Sequence, residues 1–294
     1  MADVLAREEY IEQAYLFRIL WERLGQDLTL QDLLQQCRYE VLASTKLPLA
    51  IDFLFSELKH SGAIAHGMRR LGHYFTPYQA FLVGQAEEDS GRFDFRTSLL
   101  VLQAEALYKC SPQFDRQGLF FYQFESLCRH RLSYDAGLKA MSQDPCYDDH
   151  WKEWMIIVQK QLGLVDLADL IYGRSEDFVA YRKRHLGEDA QAEYPILFGA
   201  REGKIAYANR RKEPLFLFAA MQRHLGYPNV PKRETVDQTL ELIPQMHRRI
   251  ERLEARMKLM EEEHRQGIDI TKFYGRSAPQ MPDFPDEIDL DENN

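Results

Sequence analysis

Tyr10-Ile-Glu-Gln-Ala-Tyr-Leu-Phe-Arg-Ile-Leu-Trp-Glu-Arg-Leu24 sets apolar residues at Ile11, Ala14, Tyr15, Leu16, Ile19, Leu20 and Leu24. Steps of three and four residues trace one broad face of an α-helix, not the strict alternation of a strand. Gly25 then reads as a C-terminal stop. The same pattern continues downstream. A second helix is expected from Thr29 to about Leu42, with Leu30, Leu33, Leu34, Cys37 and Val41 inward. Pro48 suits the first turn of a third, which carries Ile51, Leu54, Phe55 and Leu58 and stops at Gly62. A short helix over Ile64–Leu71 follows. Thr76-Pro77 combines an N-cap hydroxyl with proline at the first helical position, and the helix it opens runs towards Ser90-Gly91.

Further helices are expected over Asp94–Tyr108, Phe120–Arg131, Tyr134–Ser142, His150–Leu162 and Leu164–Ile171. The fold class is therefore all-α, with tandem antiparallel helical bundles over 1–112 and 113–187. The pattern changes after Gly187. Tyr194–Gly199 and Lys204–Tyr207, separated by Ala200-Arg-Glu-Gly203, suggest a small β-hairpin. With the apolar helix that begins at Pro214, it makes a module over 188–231. Residues 232–275 read as a long charged helix. Val236, Leu240, Ile243, Ile250, Leu253, Met257 and Met260 give it the spacing of a short coiled coil. Pro244 should kink it, and either a surface helix or an intermolecular coil satisfies the pattern. Residues 276–294 form an acidic tail expected to be disordered.

Composition narrows the function classes. The net charge is −9, and six acids (Asp283, Asp286, Glu287, Asp289, Asp291, Glu292) with no base fall between Ser277 and Asn294. The rest is near −3, so no global basic field argues for nucleic acid. Cys37, Cys110, Cys128 and Cys146 are scattered without a CxxC pair and read as free thiols of a reducing compartment. Met1–Tyr10 is charged and lacks the apolar run of a secretory leader. The longest apolar runs, such as Ser98–Leu102, fall far short of the ~20 residues a bilayer requires. A cytoplasmic or peripheral location is expected.

The order of small and apolar residues carries a family pattern. Gly62-Ala-Ile-Ala-His-Gly-Met68 is followed by Phe75-Thr-Pro77 and by Glu88-Asp-Ser-Gly-Arg-Phe93. This series resembles the F domain of type II secretion systems, found also in the inner-membrane platform protein of type IV pili. That family shows a Gly-x-Ser-Leu-x-x-Ala-Leu-like segment, then Phe-Pro, then a helix ending in Gly-Glu-x-Ser-Gly-x-Leu. The resemblance covers roughly residues 12–109. A second copy is visible in Phe124–Leu138 and in Gly163-Leu-Val-Asp-Leu-Ala-Asp-Leu170. Departures are Glu87 where the family prefers glycine, Arg131 at the second copy's turn glycine, and the lack of the family's membrane helices. The resemblance implies a helical-bundle fold and a scaffold or adaptor role, with secretion or pilus assembly components as partners. Self-association through the charged helix would give a homo-oligomer.

Candidate contacts follow. Glu87, Glu88 and Asp89 near a helix C-terminus oppose the macrodipole by roughly a few tenths of a kcal/mol each. That marks them as partner contacts, with a plain solvated face as the alternative. Arg210, Arg211 and Lys212, after Asn209, could meet an anionic partner, and a regulatory anion- or nucleic-acid-binding role is the alternative function. A solvated loop is the simpler account there too. His60, His66 and His73 near Glu57 are ligand types, but spacings of six and seven put no two at i,i+4. The pairs Cys128/His130 and Cys146/His150 lack a second cluster to complete a metal site. No nucleophile elbow, phosphate loop or dinucleotide fingerprint is present. No catalytic, cofactor or metal residue is therefore assigned, and a non-enzymatic interaction protein is the expectation.

Overall fold

In the computed structural model the chain is described over residues 4–24, 28–88, 93–186 and 194–232, together with Met257. The described residues are all-α. Thirteen helices run in order: α1 (Arg7–Leu24), α2 (Leu30–Glu40), α3 (Leu47–Ser61), α4 (Ala65–Arg70), α5 (Pro77–Glu87), α6 (Phe95–Cys110) and α7 (Arg116–His130). They continue as α8 (Tyr134–Ser142), α9 (Asp149–Gln161), α10 (Leu167–Tyr172), α11 (Glu176–Leu186), α12 (Ala200–Ala208) and α13 (Pro214–Leu225). Met1–Glu234 clusters as one unit and Thr235–Asn294 as a second. The expected charged helix and acidic tail lie outside the described residues, as do Gly25 and Ser90-Gly91.

Local chemistry starts these helices where the sequence places it. Thr76 accepts from the Gln79 amide while the Gln79 side chain accepts from the Thr76 amide, closing a capping box ahead of Pro77. Thr29, Asp94, Ser133 and Asp148 cap α2, α6, α8 and α9 in the same sense. Gly62 ends α3 in left-handed backbone at φ 74°.

Helix lengths recur along the chain. α1 to α5 have 18, 11, 15, 6 and 11 residues, and α7 to α11 have 15, 9, 13, 6 and 11. In the first series α6 returns to pack on α1, and in the second α13 returns to pack on α7. The series differ in the short helix: α4 packs on α3 and α5, whereas α10 packs on α12. Phe120 and Phe121 of α7 and Trp151 and Trp154 of α9 form an aromatic core, into which Phe198 inserts.

The expected hairpin is not there. Tyr194–Gly199 is extended, but Lys204–Tyr207 belongs to α12. Phe198 makes an isolated bridge to Ser175, and its carbonyl accepts from the Glu176 amide at 3.0 Å. Gly203, read as a turn residue, is a contact residue instead. A Cβ at that position would collide with the Ser175 hydroxyl, so the missing side chain lets α12 close on the start of α11. Gly203→Ala is expected to destabilise the protein by about 1–3 kcal/mol through overpacking. Urea denaturation checks this, and an unchanged midpoint would show that the contact yields freely.

Candidate functional site

The most concentrated chemistry lies inside the bundle. Glu105 and Lys109 are one turn apart on α6, and Asp144 follows α8. Lys109 Nζ sits 2.7 Å from Asp144 Oδ2 and 3.1 Å from Glu105 Oε1. All three side chains are at most 1% exposed. Gln123 of α7 donates to Glu105 Oε1 at 2.7 Å and accepts from the Tyr147 hydroxyl at 2.9 Å. The Cys146 amide donates to Asp144 Oδ1 at 3.0 Å. Glu105 Oε2 has no hydrogen-bond partner.

Two carboxylates thus share one ammonium in a buried site. Burial lifts the Glu105 carboxyl above the usual carboxylate range, against the pull of Lys109. Burial works to lower Lys109, but Asp144 and Glu105 outweigh it and hold the ammonium well above its ordinary value. Burial also pushes the Cys146 thiol up to about 12, which keeps it protonated and a poor nucleophile. Lys109 and Cys146 reach a cavity of about 670 Å³ whose other walls include Leu5, Arg7, Tyr10 and Phe114. The group acts as an ionic lock that ties α6 and α7 to the connection between α8 and α9.

Within the acidic cluster expected at the end of α5, Glu87 turns to a neighbouring helix. Glu87 accepts from the Ile64 amide at 2.6 Å and the Ala65 amide at 3.0 Å, and so caps α4, whose own N-cap side chain makes no bond. Glu88 accepts from Gln85 at 2.7 Å. Asp89 lies outside the described residues. In the basic segment, Arg210 stands 3.3 Å from Asp169 and 3.8 Å from the centre of the Tyr207 ring. Arg211 is in left-handed backbone at φ 58° and its amide donates to Asp166 at 2.6 Å. Its side chain and that of Lys212 are exposed. Two aspartates of the α10 region therefore tether this segment and offset its charge.

His66 meets Glu57 at 3.0 Å, and His60 binds the Ser56 carbonyl at 2.7 Å. Among the described residues no three His, Cys, Asp or Glu side chains are grouped to hold a metal ion. Cys128, its thiol raised to about 12 by burial, packs against the core.

A further feature went unread in the sequence: the corner between α2 and α3. Glu9 and Glu12 of α1, both buried, hold it by its backbone. Glu12 accepts from the Leu42 amide and Glu9 from the Lys46 amide, each at 2.9 Å. The Thr45 hydroxyl donates to the Leu42 carbonyl at 2.7 Å. On this fixed corner Tyr39, Leu42 and Leu49 are 79%, 56% and 73% exposed. The signal available beforehand was phase. Tyr39 falls off the face set by Leu33, Leu34 and Cys37; that α2 stops at Glu40, short of the expected Leu42, is shown by the structure.

Among the described residues no helix is long and apolar enough to cross a membrane. Comparisons with known protein families, with curated proteins and with solved structures give no match.

Proposed function

We propose that the chain is a non-enzymatic scaffold or adaptor that docks other proteins through the α2–α3 corner. The observation that carries this reading is the rigid display of Tyr39, Leu42 and Leu49. Large apolar side chains exposed on a backbone that is already bonded mark an interaction surface, and the backbone ordering cost of binding is reduced. Resemblance to the secretion F domain gives the reading its partner class, the assembly ATPase and inner-membrane components that the family's cytoplasmic domains contact. Two features support the tandem part of that resemblance. The order of longer and shorter helices in α1–α5 is similar in α7–α11, with equal lengths for α4 and α10 and for α5 and α11. Arg131, at the turn glycine of the second copy, closes α7 in left-handed backbone at φ 54°. Recruitment to the cytoplasmic face of an inner membrane would follow from such a partner.

The anion-binding alternative is weaker. Asp169 and the tyrosines engage Arg210, which leaves Arg211 and Lys212 as the exposed cations of the segment.

A photo-crosslinker at Tyr39 in the full chain, expressed in its native host, tests the proposal. Assembly components should be captured, and Leu42→Asp with Leu49→Asp should abolish capture. Stability should move by no more than about 0.5 kcal/mol per exposed substitution. Capture that survives the double variant would remove the corner from the reading. Capture of unrelated proteins alone would remove the tie to secretion.

A further inference from the structure

A second concavity lies between α4, α5 and α8 and has a different character from the cavity at Lys109. It measures about 340 Å³, at the small end of the ~300–1,000 Å³ typical of ligand sites. Its floor is apolar: Met68, Phe75 and Ala80 are buried, with Phe81 and Ala140 beside them. Arg69 and Lys139, both exposed, stand on the wall with Gln143, and no acidic residue lines it. Neither cation has an ion pair or a side-chain hydrogen bond among the described residues.

Gly84 adds a built element. It lies one turn beyond Ala80 on α5, and a Cβ there would stand 2.7 Å from Arg69 Nη2. The guanidinium therefore rests against bare helix backbone, on ground that any side chain at position 84 would deny it. Two exposed cations without ion pairs among the described residues, beside an apolar floor, match a ligand with one anionic head and one apolar tail. A guanidinium pairs with a carboxylate in two parallel hydrogen bonds, and an ammonium adds a third contact.

We propose that this pocket binds a small amphipathic carboxylate, its tail on Met68, Phe75, Phe81 and Ala140 and its head on Arg69 and Lys139. The site is separate from the α2–α3 corner and stands whether or not that corner docks a partner.

Calorimetric titration of the full chain with decanoate tests it, with decylammonium as the charge-reversed probe. Decanoate should bind saturably at one site, and decylammonium should bind at least tenfold more weakly. Arg69→Ala and Lys139→Ala should each weaken decanoate about tenfold. Gly84→Ala, which favours helix and displaces only the end of a flexible side chain, should weaken it while the protein still melts cooperatively. Three outcomes would overturn the proposal: no decanoate binding, equal affinity for both probes, or wild-type affinity in all three variants.

Discussion

Lys109→Met is expected to lower the unfolding free energy by about 3–5 kcal/mol, because it strands the buried carboxyls of Glu105 and Asp144 without their cation. That is a large share of the ~5–15 kcal/mol that keeps a domain folded. The Coulomb attraction within the group does not set this figure. The loss comes from carboxylates left without a cation, and neutralising them should reverse it. Adding Glu105→Gln and Asp144→Asn to Lys109→Met should restore much of the stability.

The sign of the pH dependence follows from the same group. Glu105 titrates above its ordinary value when folded, so its protonated form favours the fold. Its contribution is present at low pH and is lost as pH rises through the folded pKa. Lys109 is also raised, so its contribution is complete below the ordinary 10.5 and is lost only in strong alkali. In Lys109→Met the Glu105 carboxyl, having lost its cation, holds its proton more tightly still. The deficit against wild type should therefore be smaller at pH 5 than at pH 8, read from urea midpoints. Equal deficits at the two values would show that packing, not charge, dominates the site.

Phe198→Ala is the second large effect, at about 3–5 kcal/mol for a buried aromatic in a ring cluster. Phe198 meets Phe120, Phe121, Trp151 and Trp154 with ring centroids between 5.2 and 6.5 Å apart. It anchors the extended segment from which α12 and α13 continue. Hydrogen exchange should show amides of α12 and α13 losing protection while α1–α6 keep theirs, as a local opening would. Uniform loss across the chain would mean that the arm and the bundle unfold together. A cost below about 1 kcal/mol would mean that the rings refill the space.

Where a helix is declared by its own residues, the sequence was legible. Thr76-Pro77 announces α5 through a local capping box, and α8 occupies the expected Tyr134–Ser142 span. Pro214 opens α13 as read. The misreading at α12 arose because two glycines and a Tyr-Pro pair are local turn signals, whereas tertiary contact settles the matter. Phe198 sinks into rings from two other helices, and Gly203 faces Ser175. The α11 span, Glu176–Leu186, went unmarked because charged residues dominate it and obscure any apolar face.

The sites follow the same division. Glu105 and Lys109 have the spacing of a surface ion pair, and nothing local tells that Asp144 and Gln123 close over them. Glu87 was visible as an acid at a helix end, but its partners lie in another helix. Arg210 was visible as a cation, but not its tie to Asp169. Composition identifies the charged residues, and only the packing decides which of them stay in water.

Glu87 has a consequence for the order in which this structure assembles. A six-residue helix has too few internal bonds to persist by itself, and the cap of α4 is borrowed from a position 23 residues later. α4 gains this cap only when α5 has formed and docked. The dependence also runs in reverse. A ligand that drew the Glu87 carboxylate away would bare two amide donors and weaken α4 without touching it. The residue that looked most like an outward contact is thus the latch of its neighbour.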